Sequence, residues 1–74
     1  MAMIEMKSEV TGAVWKILKA QGDRVGEGDT VLIFESMKME IPLIAEEAGN
    51  IVELRVEEGQ SVSEGQTVAV LEVE

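Results

Sequence analysis

The chain has 74 residues, enough for one compact domain and too few for two. Its 15 acidic residues against 6 basic ones give a formal net charge of -9, which disfavours nucleic acid and anionic membranes as partners. Cysteine and histidine are both absent, which excludes disulfides and thiol chemistry and disfavours a transition-metal site. The sequence shows neither a signal-peptide pattern nor an apolar run of membrane-spanning length. We therefore expect residues 1–74 to form a single soluble, cytoplasmic domain.

Runs rich in valine, isoleucine, threonine and leucine alternate with glycine-containing turns along the chain. These runs predict strands at about 2–7, 12–18, 30–35, 39–44, 49–56 and 67–73. Pro42 cannot donate a hydrogen bond to a neighbouring strand, so the strand that contains it should be an edge strand or carry a local break. No segment combines a helical period with capping residues. The sequence therefore predicts an all-β fold.

The two halves of the chain repeat each other. A shift of 37 residues places Gly12 on Gly49 and Gly22 on Gly59, and the register holds without a gap to the end of the second half. The repeat halves span about 4–37 and 41–74. Neither half could bury its own apolar face, so the two must pack on each other. We expect a flattened β-barrel or sandwich with approximate two-fold symmetry.

The sequence Glu-Ser-Met-Lys-Met-Glu, residues 35–40, lies at the junction of the two halves. The repeat equivalents of position 38 fall at residue 1 and just beyond residue 74. A turn at the junction should therefore project from one end of the molecule, with the chain ends at the other. Lys38 would present a primary amine there, on a flexible stem held by rigid strands. Such an amine can be acylated by a modifying enzyme that activates the acyl group.

The residues around Lys38 allow two interpretations each. Met37 and Met39 are either core side chains, with Lys38 reaching past them to solvent, or an adaptable apolar collar for a partner enzyme or a carried ring. Glu35, Ser36 and Glu40 are either ordinary surface residues or part of what a modifying ligase recognises.

The stretch Glu-Ser-Met-Lys-Met resembles the Ala/Ser-Met-Lys-Met signature of biotinyl domains in biotin-dependent carboxylases. The resemblance covers essentially the whole chain, including the glycine-rich turns at 22–29 and Gly49. It is closest to small free-standing biotin/lipoyl attachment proteins and to the C-terminal biotin carboxyl carrier domains of acyl-CoA carboxylases. The resemblance implies two four-stranded sheets in a barrel-sandwich hybrid. The spacing from Gly12 to Gly22 equals that from Gly49 to Gly59, so the thumb insertion of some bacterial carriers should be absent.

The resemblance also implies a function. Lys38 would form an amide with biotin, made by a biotin protein ligase, and the arm would carry a carboxyl group between biotin carboxylase and carboxyltransferase sites. The domain would be a carrier without catalytic residues, and we expect a monomer in isolation. Lipoyl domains share the fold but usually have Asp-Lys-Ala at this turn. Because Met37 and Met39 replace that Asp and Ala, biotin is favoured over lipoate.

Several alternatives remain open at the level of sequence. The chain could carry lipoate, or either group, or it could be an unmodified structural adaptor of the kind found in membrane-fusion proteins of efflux systems. An independent enzyme is disfavoured because no nucleophile–base pair or metal-ligand set can be assembled. The acidic pairs at 46–47 and 57–58 are predicted to be solvated loop charges, residues 26–28 a turn, and Trp15 a half-buried packing residue.

Overall fold

The computed structural model describes residues 2–73, and this part of the chain forms eight strands and no helix. In chain order the strands are β1 (Ala2–Lys7), β2 (Gly12–Ile17), β3 (Arg24–Val25), β4 (Thr30–Ser36), β5 (Met39–Ile44), β6 (Gly49–Leu54), β7 (Ser61–Val62) and β8 (Thr67–Val73). The six predicted strands are all present. The two-residue strands β3 and β7 were not predicted, because a pair of residues is too short to show an alternating pattern.

The strands form two four-stranded antiparallel sheets, which confirms the predicted fold class. We call the sheet with the order β5-β4-β2-β7 the turn sheet, because it contains the hairpin around Lys38. The sheet with the order β1-β8-β6-β3 is the terminal sheet, because β1 and β8 contain the two ends of the described chain. Strand β5 lies at the edge of the turn sheet, the position that Pro42 requires.

The sequence repeat is present in the structure, down to individual hydrogen bonds. Each strand of the first half occupies in one sheet the place that its equivalent occupies in the other. The amide of Gly22 donates to the carbonyl of Ile51 over 2.6 Å, and its repeat equivalent, the amide of Gly59, donates to Val14 over 2.7 Å. Each half thus bonds its own turn to a strand of the other half. The two halves interlock and complete one core together.

The core between the sheets consists mainly of branched aliphatic side chains, with Phe34 as its aromatic member. The largest fully buried hydrophobic side chains are Phe34, Leu32, Ile51, Leu71, Val14, Val25, Val31 and Val68. Ser8 is also buried, and its hydroxyl donates to the carbonyl of Val10 over 2.6 Å, so it carries no uncompensated polar group. A core made of β-branched residues suits pleated strands, because their side chains pack well on a sheet face.

The connection from β2 to β3 has the same length as its equivalent from β6 to β7, and both turn on a glycine with positive φ. The φ angle is 94° at Gly22 and 87° at Gly59. Only glycine adopts such angles without a Cβ clash. As the glycine spacing predicts, this connection leaves no room for a thumb insertion.

Candidate functional site: the turn between β4 and β5

Strands β4 and β5 form a hairpin whose loop contains only Met37 and Lys38. The last paired residues are Ser36 and Met39. The φ angles of Met37 and Lys38 are 52° and 65°, as a type I′ turn requires at both of its central residues. Asparagine, aspartate and glycine are usual there, since larger side chains at positive φ cost on the order of 1–3 kcal/mol each. Among residues 2–73, these are the non-glycine residues with positive φ.

The side chains of this turn extend into solvent. Met37 is 92% exposed, Met39 is 62% exposed, and Lys38 is exposed between them. The interpretation of the two methionines as core residues is therefore wrong. Met37 and Met39 therefore add nothing to the folded core. Backbone strain and exposed apolar side chains of this kind are typical of functional sites.

The base of the hairpin is fixed by contacts with Thr11, in the loop that precedes β2, and with Gly12, the first residue of β2. The hydroxyl of Ser36 donates a hydrogen bond of 2.9 Å to the carbonyl oxygen of Thr11. Gly12 packs so closely on β4 that a Cβ there would overlap the carbonyl oxygen of Glu35. The hydroxyl of Thr11 in turn accepts a bond of 3.1 Å from the amide of Glu64. Two loops outside the hairpin thus hold its base, so that only the two turn residues are free of the sheet.

Sequence reasoning did not identify Thr11 or Gly12 as parts of this site. The match between Gly12 and Gly49 was the available signal, because both glycines allow a close approach of two backbones. Nothing in the sequence pairs Thr11 with Ser36, since their hydrogen bond joins positions 25 residues apart.

Two carboxylates flank the turn. Glu35 and Glu40 are directly opposite each other across the hairpin, and both are exposed. Like charges at opposed positions destabilise a strand pair slightly. The turn therefore projects beyond an acidic base, an arrangement that favours a partner with basic groups at the rim of its site.

The turn and the chain ends lie at opposite ends of the strands, as the repeat predicts. Strand β1 begins at Ala2, opposite Val73 of β8, and runs from this end of the sheet to Lys7. Residues 8–11 then lead to the base of the hairpin. The molecule measures 36 × 18 × 17 Å. Residues 1 and 74, which the prediction also included, lie outside the described part of the chain.

The other positions that the sequence singled out have structural roles or are surface residues. Glu58 accepts a hydrogen bond of 2.9 Å from the amide of Ile17, and residues 26–28 form a turn in which Gly28 has a φ of 89°. Trp15, predicted to be half-buried, is 46% exposed at a bulge in β2. Within residues 2–73 there is no cluster of three or more potential metal ligands. Nor does the described part of the chain contain a helix that could span a membrane.

Comparison with known proteins identifies the same family over nearly the whole chain. Residues 2–71 match the biotin/lipoyl family described as "Biotin-requiring enzyme". The chain is 34% identical to the "Biotinylated protein TB7.3 homolog" of Mycobacterium leprae, over 90% of this chain and 94% of that protein. It is 40% identical to the "Biotin/lipoyl attachment protein" of Bacillus subtilis, over 85% and 86% of the two chains. Part of the crystal structure of Kluyveromyces lactis urea carboxylase superposes with a TM-score of 0.88 and 37% identity, covering 96% of this chain and 6% of that one.

Proposed function

The chain belongs to the biotin/lipoyl attachment family, described as biotin-requiring enzymes, and from that membership we propose that Lys38 is the residue that carries biotin. The domain is a biotin attachment domain, with biotin as its cofactor, and it is a carrier rather than a catalyst. One observation supports Lys38 above all. Its amine stands at the apex of a two-residue turn, between two exposed methionines.

The remaining lysines do not offer this geometry. Lys7 ends strand β1, Lys16 lies within β2, and Lys19 follows β2 and is only partly exposed. A ligase must enclose the amine together with an activated acyl group, so it needs an amine that projects beyond the body of its substrate. Lys38 meets that requirement because the two turn residues extend past the last strand pair.

The residues of the turn divide the work of attachment. Lys38 Nζ, once deprotonated in the ligase site, attacks the activated carboxyl carbon of biotin; the amide bond forms as the activating group leaves. Met37 and Met39 offer soft apolar surface to the ligase and to the ring of the attached group. Ser36, tied to Thr11, keeps the base of the hairpin from fraying. We propose that Glu35 and Glu40 orient the turn toward basic groups of the ligase.

Once attached, biotin supplies a group that accepts and releases a carboxyl unit. We propose that the domain delivers it to a biotin carboxylase site and then to a carboxyltransferase site. Tethering raises the local concentration of the carried group to about the millimolar range at each site. The turn can enter a catalytic cleft because it extends past the last strand pair, and Ala2 and Val73 lie at the other end of the strands. We propose that this carrier works in the cytoplasm, where ATP is available for ligation and carboxylation, and that it is a monomer between encounters.

Intact mass after modification tests this proposal directly. The purified unmodified protein is incubated with a biotin protein ligase, ATP and biotin, and we expect a gain of one biotinyl group. Lys38→Arg should gain none, whereas the triple variant Lys7→Arg, Lys16→Arg, Lys19→Arg should be modified like the parent protein. Biotin on Lys38→Arg would place the attachment elsewhere. A gain only with lipoate and a lipoate ligase would make the chain a lipoyl carrier, and no gain with either group would favour an unmodified adaptor.

A further inference from the structure

The outer faces of the two sheets occupy equivalent places in the repeat but differ in chemistry. On the terminal sheet, Val70 of β8 is paired with Glu5 of β1 on one side and with Glu53 of β6 on the other. Arg55 bonds to Glu53, which raises the pKa of the guanidinium, and Glu5 contributes to the same effect. Val70 is only 9% exposed although it lies outside the core cluster. Charged side chains therefore surround Val70 on the outer face of the terminal sheet, which also exposes Met3 and Val52.

The equivalent positions on the turn sheet are more apolar. Ile33 of β4 is paired with Pro42 of β5 and with Lys16 of β2, in the row that corresponds to Glu5, Val70 and Glu53. Leu18 stands where the other half has Arg55, Ile44 where it has Lys7, and Trp15 where it has Val52. Trp15, Leu18 and Ile44 are exposed by 46%, 46% and 45%. We call this set the apolar face: Trp15, Leu18, Ile33, Pro42 and Ile44.

The repeat shows that folding does not require apolar residues on this face. Single exposed apolar side chains are normal on any protein. Here, however, they gather on neighbouring strands of one sheet. The other sheet forms the same strands with charged residues in place of Leu18, Pro42 and Ile44. Exposed apolar side chains that are grouped in this way commonly mark an interaction site.

The location of the apolar face indicates what binds there. Strands β4 and β5 contribute Ile33, Pro42 and Ile44 to it, and the same two strands end in the turn at Lys38. Glu35 and Glu40, on the same strands, stand between the apolar face and the turn. An enzyme that takes the turn into its site therefore meets two carboxylates and then the apolar face, along one side of the domain.

We propose that the apolar face docks the biotin carboxylase that acts on the carried biotin, through a surface that is apolar at its centre and basic beside Glu35 and Glu40. This inference rests on the proposed function. The net charge of -9 favours a basic partner and opposes docking of a second copy. We expect a contact through these five side chains to belong with the interfaces below about 1,200 Å² of total buried surface, which are weak and transient. A carrier that must leave one site for another needs such a contact.

Steady-state carboxylation of the biotinylated protein by the purified biotin carboxylase of the source cell tests the proposal. Leu18→Gln/Ile44→Gln should raise KM by about tenfold or more with little change in kcat, since it removes binding away from the reacting group. Leu18→Arg/Ile44→Lys introduces the residues found at the equivalent positions of the other half. It should raise KM in the same way, and the fold should tolerate it because the terminal sheet carries these residues. Val52→Gln, which removes an exposed apolar side chain from the terminal sheet instead, should leave KM unchanged.

The outcomes separate this inference from the proposed function. The intact masses of the parent protein and of Lys38→Arg first establish whether the protein carries biotin on Lys38, and an unmodified parent protein overturns both. A biotinylated protein whose KM is the same in all variants overturns the docking face alone. Sedimentation of the parent protein gives the third result: a dimer that Leu18→Gln/Ile44→Gln dissociates would assign the face to self-association and overturn the proposed partner. Raising NaCl should increase KM for the parent protein and less so for Glu35→Gln/Glu40→Gln.

Discussion

Gly12 allows β2 to lie close to β4 at the base of the hairpin. A Cβ at this position would overlap the carbonyl oxygen of Glu35, and its repeat equivalent Gly49 faces the carbonyl oxygen of Glu72 in the same way. Each Gly→Ala substitution should therefore destabilise the fold by about 1–3 kcal/mol, as overpacking does. Urea unfolding measures both losses.

The two variants should differ in their rate of biotin attachment. Gly12→Ala pushes against the base of the hairpin, whereas Gly49→Ala acts beside the chain ends. We expect a several-fold slower ligase reaction for Gly12→Ala only, measured by intact mass against time at a temperature where both variants are folded. Equal rates for the two would show that the base of the hairpin does not position Lys38.

Met37 illustrates a balance between stability and function. Asparagine tolerates positive φ better than methionine does, so Met37→Asn should raise the free energy of unfolding by about 1 kcal/mol. It should also slow biotin attachment, because the apolar surface beside Lys38 is lost. The midpoint of urea unfolding and the ligase rate report the two effects. Met39→Asn serves as the control: Met39 lies in β5 without positive φ, so a similar gain in stability there would disprove the strain argument.

At this scale the sequence predicted the turn residues because their chemistry is local. A lysine between two methionines at the centre of a repeat is visible without coordinates. The φ angles of Met37 and Lys38 were not predictable, since neither residue type favours a type I′ turn. They are imposed by the strands on either side, whose register leaves only two residues to reverse the chain.

At the scale of elements, the turns between strands use equivalent bonds with different side chains. The carboxylate of Asp29 accepts a bond of 2.8 Å from the amide of Gly26, and the side-chain oxygen of Gln66 accepts one of 3.0 Å from Ser63. Asp29→Ala and Gln66→Ala should each lower the free energy of unfolding by about 1 kcal/mol. Asp29→Asn keeps an acceptor oxygen and should lose much less. If Asp29→Asn were as damaging as Asp29→Ala in urea unfolding, the charge rather than the hydrogen bond would stabilise the turn.

The elements that sequence reasoning missed share one physical feature: they depend on partners in the other half. Strands β3 and β7 consist of two residues each and exist because β6 and β2 pair with them. The bulges at Trp15 and Val52 fall at equivalent positions without a glycine or proline to mark them. A bulge breaks the alternation of the strand, so Trp15 and Lys16 are both exposed although they are neighbours in the chain.

At the scale of the whole molecule, the repeat separates what the fold needs from what the function uses. Positions that agree between the halves, such as Gly22 and Gly59 or Val25 and Val62, form turns and core. The positions at which one half is apolar and the other is charged, such as Leu18 and Arg55, lie on the outer faces. The sequence contained this difference, but only the pairing of strands showed that the apolar members lie on one face, next to the turn.

The charge of the whole molecule predicts how salt affects its stability. With a net charge of -9 on a body 36 Å long, repulsion acts across the entire domain at about 10 mM salt, where the Debye length is roughly 30 Å. Raising NaCl to about 0.5 M should screen that repulsion. The described ion pair between Arg55 and Glu53 is largely solvent-exposed and loses little by screening. We expect the folded state to gain about 1 kcal/mol, equivalent to a rise in Tm of about 4–8 °C.

Thermal unfolding followed by circular dichroism measures this rise, and sodium chloride is preferable to sulfate, which strengthens apolar burial by itself. Glu46→Gln/Glu47→Gln provides the matched control. Both side chains are exposed on a loop, so their replacement makes the net charge less negative without touching the core. This variant should unfold at a higher temperature than the parent protein at low salt and should gain less from added NaCl. A Tm that falls as NaCl increases would mean that attractive ion pairs outweigh repulsion. The acidic surface would then stabilise the fold. It could not be explained as a loss of folding stability that is accepted because the surface recognises basic partners.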